Sequence, residues 1–511
     1  AASDLWGEEC GSRLRGMFSF AIRDENSRSL FCARDRFGIK PFYYAHVGDV
    51  FLFASEAKAL LPFIPEIRTD LNALKDYLAF QLCLDGKTLF EGVSELLPGH
   101  RLVIRAGKMK IERYWEVYYR LDFDHTRKYF TERLRELLLD SIRVHTRSDV
   151  PIGSYLSGGL DSSAVTALAV KHRETGGDFL SFTGKFSLGE LYDESRYARA
   201  VADHSGIGLH EVDITSRDFL ESIQKVIYHL DYPVAGPGSF PQYHVSRLAA
   251  RHRKVVLGGQ GADEIFGGYV RYLLAYFEQC IKGAIDGTLA SGNFIVTYES
   301  IIPNLVALRN YKPLIREFWR EGVFEPIDER YFRLINRAST LEKEVNWEVL
   351  GDYSPHQTFS AIFNGRNVGK ESYFDKMTHF DFKTLLPGLL QVEDRMSMAH
   401  GLESRVPFLD HEIVEFAATM PSDIKFQDGT LKKVLLDVVQ GELPACVTER
   451  KNKMGFPVPY QKWDWAQLKP VMASLAARKV ITNMDPASHT TMDRETWALY
   501  SIETWHQKYF G

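Results

Sequence analysis

The sequence predicts a two-part protein: an α+β block of antiparallel hairpins, then an α/β block with a parallel sheet and a large helical C-terminal part. Three observations predict it. Residues 16–62 alternate apolar and polar side chains around short polar turns, as half-buried antiparallel strands do. Between 150 and 264, short apolar runs are each followed by a turn and a helical stretch, the pattern of strands covered on both faces by crossover helices. From about 270 to 511 the periodicity is mostly helical. At 511 residues the chain also exceeds what one core usually holds.

In the first block "MFSFAI" and "SLFCAR" flank the turn "RDENSR", and "PFYYAHVGDVFLFAS" makes a second hairpin about Gly48-Asp49. "SEAKALLPF" reads as a short helix with Ser55 as its N-cap. A helix over 70–82 follows, then a strand pair in "GHRLVIRAGKMKIERYW" turned at Ala106-Gly107. Residues 116–130 are polar and aperiodic, so they read as a linker between domains 1–115 and 131–511. Beyond it "FTERLRELLLDSIRVHT" has helical spacing, and "VPIGSYL", "FLSFTGKF", "LHEVDI" and "KVVLGGQGADE" supply the strands. There is no internal repeat.

A net charge of −5 leaves no excess of Lys and Arg to displace counterions, which argues against a nucleic-acid partner. No apolar run reaches the ~18 residues that span a bilayer, so no membrane partner is expected. The five cysteines (Cys10, Cys32, Cys83, Cys280, Cys446) show no C-x-x-C spacing, which fits a reducing, cytoplasmic setting rather than a zinc site or disulfide framework. The start "AASDLWGEEC" has neither an initiating Met nor a signal-peptide pattern and reads as a cut or processed start.

The chemistry begins at "SYLSGGLDSSAV". Gly158 and Gly159 allow backbone amides close to an anion, Ser157, Ser162 and Ser163 add hydroxyls, and the following helix adds its positive end. Asp161 would repel a bare phosphate; it belongs there if Mg²⁺ lies between them, or if it merely caps the helix. The Walker pattern G-x-x-x-x-G-K-[ST] is absent.

S-G-G-L-D-S-S resembles the pyrophosphate loop of the N-type ATP pyrophosphatases. Taken in order with "RLRGMFSFAIRD", "ARDRFGIKPFYY", "FASEAKAL", "VVLGGQGADEIFGGYVRY", "VEDRMSMAHGLESRVPFLD", "DGTLKKVLL" and "RKNKMGFPVP", it makes the whole chain resemble the glutamine-dependent asparagine synthetase family. The resemblance implies an incomplete Ntn-type glutaminase sheet domain followed by a synthetase domain of the adenine-nucleotide-hydrolase kind. Leu156 and the Gly258-Gly259 backbone would border adenine and ribose, and Ser157, Gly159, Asp161 and Ser162 would hold pyrophosphate. Asp161 and Asp263 would share Mg²⁺, and Lys432 would meet the α-phosphate, with Lys453 a second cation. Glu403, with Arg405 and Gln260, would face the acceptor; the plainer reading of Glu403 is a structural pair with Arg405, and of Lys432-Lys433 a solvated helix face. Asp193-Glu194 matches a family motif or caps a helix.

The pattern breaks in places. The family's glutaminase half opens on a terminal cysteine nucleophile; this chain opens on Ala1, and neither Cys10 nor Cys32 can take that role. Glutamine hydrolysis by the chain as given is therefore not expected; ammonia would be free or come from a separate glutaminase partner, and a homodimer is compatible with the sequence. The remaining strands of 17–54 should leave an exposed edge. Gln260 stands where asparagine-making members carry Glu, in "GGQGADE", which puts aspartate in doubt as acceptor. Related β-lactam synthetases carry Tyr there, paired with the Glu of the "ESR" run, and an amide could not abstract a proton in that role. Lys185 and Leu436 are further departures. The expected activity is ATP-dependent amidation of a small carboxylate, aspartate or a sugar acid among them, giving AMP and pyrophosphate. The alternatives are an adenylate-forming ligase with another nucleophile, or an impaired nucleotide-binding subunit.

Overall fold

The computed structural model describes residues 2–173, 177–286, 312–320, 322, 325–370, 372–427, 430–450, 458–463, 468–478 and 492–511. The first block forms two antiparallel sheets. Strands β1 (Ser19–Asp24), β2 (Ser29–Arg34), β6 (His100–Arg105) and β7 (Lys108–Arg113) make one, in the order β1-β2-β6-β7. Strands β3 (Tyr43–Val47), β4 (Val50–Ala54) and β5 (Val93–Glu95) make the other, in the order β4-β3-β5. The turns follow local chemistry. Asp24 accepts from the backbone N–H of Asn26 at 2.9 Å, closing the first hairpin. Ala106 (φ +50°) and Gly107 (φ +73°) are both left-handed, the geometry that joins β6 to β7 with two residues. As expected of the hairpins at 17–54, β1 is an edge strand among the described residues.

The expected helix at "SEAKALLPF" is instead a pair of one-turn 3₁₀ segments, Ala57–Ala59 and Leu61–Phe63. Ser55 does not cap it. The Ala57 N–H donates to the Asp231 carboxylate at 2.8 Å, 174 residues away in sequence, so the cap is tertiary. The helix Leu71–Phe80 is capped locally, as Asp70 accepts from the Ala73 N–H at 2.9 Å. The helix expected after 130 starts earlier, at Arg127, because Thr126 caps it through the Tyr129 N–H; it runs to His145.

The parallel sheet carries β8 (Ile152–Tyr155), β9 (Leu180–Lys185), β10 (Gly208–Asp213), β11 (Val255–Leu257) and β12 (Glu403–Arg405). Their order is β10-β9-β8-β11-β12, so the chain reverses its direction of sheet growth at β8. Ligands of open α/β sheets gather at the carboxyl ends of strands beside such a reversal. Ile152, Val255 and Leu257 face one apolar layer with Phe130, Leu134, Ala164 and Leu168. Tyr155, Phe182 and Val256 face the other with Val245 and Ala249. The largest core does not respect the division into blocks: Tyr43, Tyr77 and Phe90 join Phe219 and Trp505 in one cluster. Asp231 fastens the seam, accepting from Lys58 (2.8 Å) and Arg395 (3.1 Å) as well as from Ala57.

Candidate active site

At the carboxyl end of β8 the Leu156 N–H still bonds to the Phe182 carbonyl at 2.9 Å; the chain then turns through Ser157–Gly159 into the helix Leu160–His172. Gly158 has φ +74°, and a Cβ there would lie 2.5 Å from that of Tyr197, so only glycine fits. Ser162 knits the turn, accepting from the Ser157 N–H at 3.2 Å and meeting the Ser157 hydroxyl at 3.0 Å. Among the described residues, the buried Ser163 Oγ has no hydrogen-bond partner. The turn after β11 presses against this one. A Cβ on Gly259 would come 2.8 Å from the Ser162 backbone nitrogen, and a Cβ on Gly258 2.9 Å from Glu393 Oε1.

Three of the residues singled out from sequence converge here. The Lys432 ammonium lies 2.8 Å from both carboxylate oxygens of Asp161 and 2.6 Å from Asp263 Oδ1. Asp161 is buried in the first turn of its helix, and Asp263 opens the helix Ala262–Phe266. Lys432 is buried and itself left-handed (φ +51°), an unusual backbone for a side chain of that size. Burial opposes its charge, but Asp161 and Asp263 outweigh that and hold its pKa above the usual lysine value. With two carboxylates and one ammonium, the trio carries one net negative charge. The neighbouring Glu264 is pushed up to about 8 by burial and by Asp263, and accepts from the Tyr269 hydroxyl at 2.6 Å.

The donor set suits a hard divalent cation. Two carboxylates already surround a positive group, and Mg²⁺ typically takes one or two protein carboxylates and completes its shell with water and phosphate oxygens. Among the described residues no three His, Cys, Asp or Glu side chains form a metal-holding cluster.

The acceptor side differs from the expectation. Gln260 does not face Glu403; its amide donates toward Glu393 Oε2 at 3.5 Å, as does Gln242 at 3.3 Å, while the Ser404 hydroxyl donates to Glu393 Oε1 at 2.5 Å. Glu393 is buried, and burial holds its pKa above the usual glutamate range. Alternation along β12 explains the reversal, because Ser404 points toward Glu393 and its neighbours point away. Glu403 and Arg405 pair with each other at 2.6 Å, and Arg405 donates to the carbonyls of His145 (2.8 Å) and Arg147 (2.7 Å). They line a cavity of about 250 Å³ with Arg15, Met17 and Asp410, apart from the lysine trio. The structural pairing is thus the geometry observed.

Other singled-out residues are accounted for. Lys433 pairs with Asp437 along its own helix, and Lys185 with Glu211 at 3.1 Å. Leu436 is half-buried. Asp193 accepts from the Ser195 N–H at 2.9 Å, the capping role, while Glu194 pairs with Arg450. Cys10 and Cys32 are buried, and burial pushes the Cys32 thiol up to about 12, the reverse of an activated nucleophile. Lys453 lies outside the described residues. Glu393 is the residue that sequence reasoning missed, although it sits inside the quoted "VEDRMSMAHG" run.

Two family models match the chain: that of the glutamine amidotransferase domain over residues 1–115, and that of asparagine synthase over 133–507. Asparagine synthetase [glutamine-hydrolyzing] 1 of Bacillus subtilis is 34% identical over 467 residues, covering 89% of this chain and 70% of that one. A putative asparagine synthetase [glutamine-hydrolyzing] of Mycobacterium bovis is 32% identical, covering 98% and 78%. A protein named amidase chry2, from Gibberella zeae, is 27% identical, covering 93% and 74%. No helix among the described residues is long and apolar enough to cross a membrane. The similarity spans both halves, with a synthase-family match over most of the chain, and this chain belongs to the asparagine synthase family of carbon–nitrogen ligases.

Proposed function

We propose that the protein adenylates an acceptor carboxylate with ATP and aminates it with ammonia, yielding an amide, AMP and pyrophosphate. The observation that carries this reading is Lys432 held at 2.8 and 2.6 Å between Asp161 and Asp263, beside the glycine-rich turn at the end of β8. The division into a glutaminase-like part (1–115, Ntn-type), a linker (116–130) and a synthetase part (131–511, adenine-nucleotide-hydrolase-like) belongs to the same reading. Leu156, Gly258 and Gly259 would border the nucleoside. Ser157, Gly158, Gly159, Ser162 and Ser163 would hold the pyrophosphate end, Ser163 bringing an unsatisfied hydroxyl. Asp161 and Asp263 would hold Mg²⁺, whose charge offsets that of the phosphate tail. Lys432 would stabilise negative charge building at the α-phosphate, an interaction that strengthens in the transition state.

On the acceptor side Glu393 replaces Glu403 as the working carboxylate, and Gln260 and Gln242 orient it. A carboxylate with a raised pKa, bonded among the described residues to the neutral donors Ser404, Gln242 and Gln260, is suited to take the proton that an incoming ammonia sheds on forming an amide. Ammonia would arrive free or from glutamine hydrolysed by a partner chain, in the cytoplasm. Relatives named asparagine synthetase and amidase leave the acceptor open between aspartate and other small carboxylates or sugar acids.

The test is exchange of labelled pyrophosphate into ATP across a panel of carboxylates, with AMP scored in the presence of ammonium. Exchange that depends on the acceptor, and AMP release that depends on ammonium, are expected. Release of ADP and orthophosphate would overturn the mechanism.

A further inference from the structure

The motif "ARDRFGIKPFYY" belongs to the first block, yet one of its side chains ends beside the candidate site. Arg34 and Asp35 are buried and fold the motif onto itself. The Asp35 carboxylate accepts from the N–H groups of Phe37 (3.1 Å), Ile39 (3.0 Å) and Lys40 (2.9 Å). Arg34 donates to the carbonyls of Gly38 (2.9 Å) and Lys40 (2.8 Å). Two buried charged residues thus grip the backbone of Lys40 on both sides. Its half-buried ammonium reaches across the seam and donates to Asp394 Oδ1 at 3.0 Å.

Asp394 is buried in the helix Leu385–Met398, between Glu393 and Arg395. Successive helical residues point about 100° apart, so each of the three meets different neighbours. Glu393 meets Gln242, Gln260 and Ser404. Asp394 meets Lys40, and Arg395 donates to the Ser55 carbonyl at 2.5 Å. Lys40 and Ser55 both lie within the residues matched by the glutamine amidotransferase model. The first block therefore clamps this helix at the two residues that follow Glu393. Little clearance remains on the other side, where the Cβ position of Gly258 is 2.9 Å from Glu393 Oε1.

The clamp also sets charge. Glu393 faces Gln242 from the helix Ser239–Ala249, Gln260 from the turn after β11, and Ser404 from β12, whose Glu403 and Arg405 pair with each other on the opposite face. From β8 comes Tyr155, its hydroxyl bonded to Ser246 at 2.7 Å. Of these neighbours Asp394 is the one that carries charge, and Lys40 is paired to it. Burial raises the Glu393 pKa and the Asp394 charge adds to the rise. We infer that Lys40 is a positioning residue of the candidate site: by clamping and neutralising Asp394 it holds the Glu393 carboxylate in place and ready to take a proton. The part played by Glu393 in the reaction rests on the adenylation reading; the clamp itself does not.

Two arms separate these. Without substrates, urea midpoints of Glu393→Gln and its parent are compared across pH in three backgrounds: wild type, Lys40→Met and Asp394→Asn. The Gln variant gains on its parent from the unfolded pKa of glutamate upward, and the gain levels off at the raised folded value. That levelling point should rise by about 0.5–1 pH unit in Lys40→Met, where the Asp394 charge stands uncompensated, and fall in Asp394→Asn, where a cation is left. Lys40→Arg should keep the wild-type point. In the second arm ammonium-dependent AMP release is followed across pH at fixed free ammonia, with an acceptor that supports pyrophosphate exchange. Its acid limb should shift up in Lys40→Met and down in Asp394→Asn, opposite signs that a merely structural role would not produce. Levelling points that coincide in all backgrounds overturn the clamp; if one variant does not fold, the other decides. Points that move while the acid limb stays fixed overturn the positioning role. If no acceptor supports AMP release, the adenylation reading fails, and the urea arm still decides on Lys40.

Discussion

Lys432 and Arg405 are both cations paired to carboxylates within 2.8 Å, and both pairs were visible as motifs in the sequence. Their surroundings differ. Lys432, itself buried, ties together Asp161 and Asp263 from two other segments of the chain. Arg405 pairs with a residue two positions away in its own strand, and its remaining donors satisfy two backbone carbonyls at the end of the helix Arg127–His145. One cation holds long-range charge in tension; the other closes off a helix end, where carbonyls lack partners. Contact with a carboxylate does not separate function from scaffold, and neither does sequence distance, since Lys58 and Arg395 reach Asp231 across 173 and 164 positions to fasten the seam.

Exchanging the residues should break or sharpen that contrast. The largest effect is expected for Lys432→Met. AMP formation should fall roughly 100- to 1,000-fold, as for removal of a transition-state charge partner, and single-turnover assays would read it. A loss below 10-fold would place Lys432 with Arg405. Next comes Arg405→Ala, which strips charged donors from two carbonyls and should cost about 1.5–3 kcal/mol in urea unfolding while leaving the pyrophosphate exchange rate intact.

The Glu393→Gln variant probes the uncompensated carboxylate through pH. The folded pKa of Glu393 is raised, so its contribution to stability is fully present below the ordinary glutamate value of 4.5 and is lost as pH climbs through the higher folded value. The variant should therefore gain on wild type as pH rises above that range and track it below, read from urea midpoints across pH. A flat difference would mean that Glu393 is not held up by burial. The smallest effect belongs to Glu403→Gln. Its side chain is 40% exposed, so the pair is worth under about 1 kcal/mol, and AMP formation should stay within about two-fold.

Much of the scaffold could be read from residue order alone. The hairpins at β1–β2, β3–β4 and β6–β7 follow from alternation and turn residues, and the strands β8 to β11 from short apolar runs before helical stretches, all signals that act over a few positions. The elements missed were those decided at a distance. Ser55 looked like a cap, but Asp231 supplies it across the seam. Strand β12 is only three residues long and pairs with β11 from far along the chain, too short for its alternation to register. Nothing local marks Glu393, a carboxylate within a helix; only folding brings Gln242, Gln260 and Ser404 around it.

The turn at residues 157–163 is legible without the fold, because its glycines and the helix start that follows are adjacent in the chain and act through local backbone geometry. Which charges face that turn is another matter. Lys432 reaches Asp161 across 271 positions and Asp263 across 169, while Glu403, equally suggestive as a letter, is turned to the far side by the two-residue repeat of a strand. Electrostatic roles depend on distance and burial, and packing sets both.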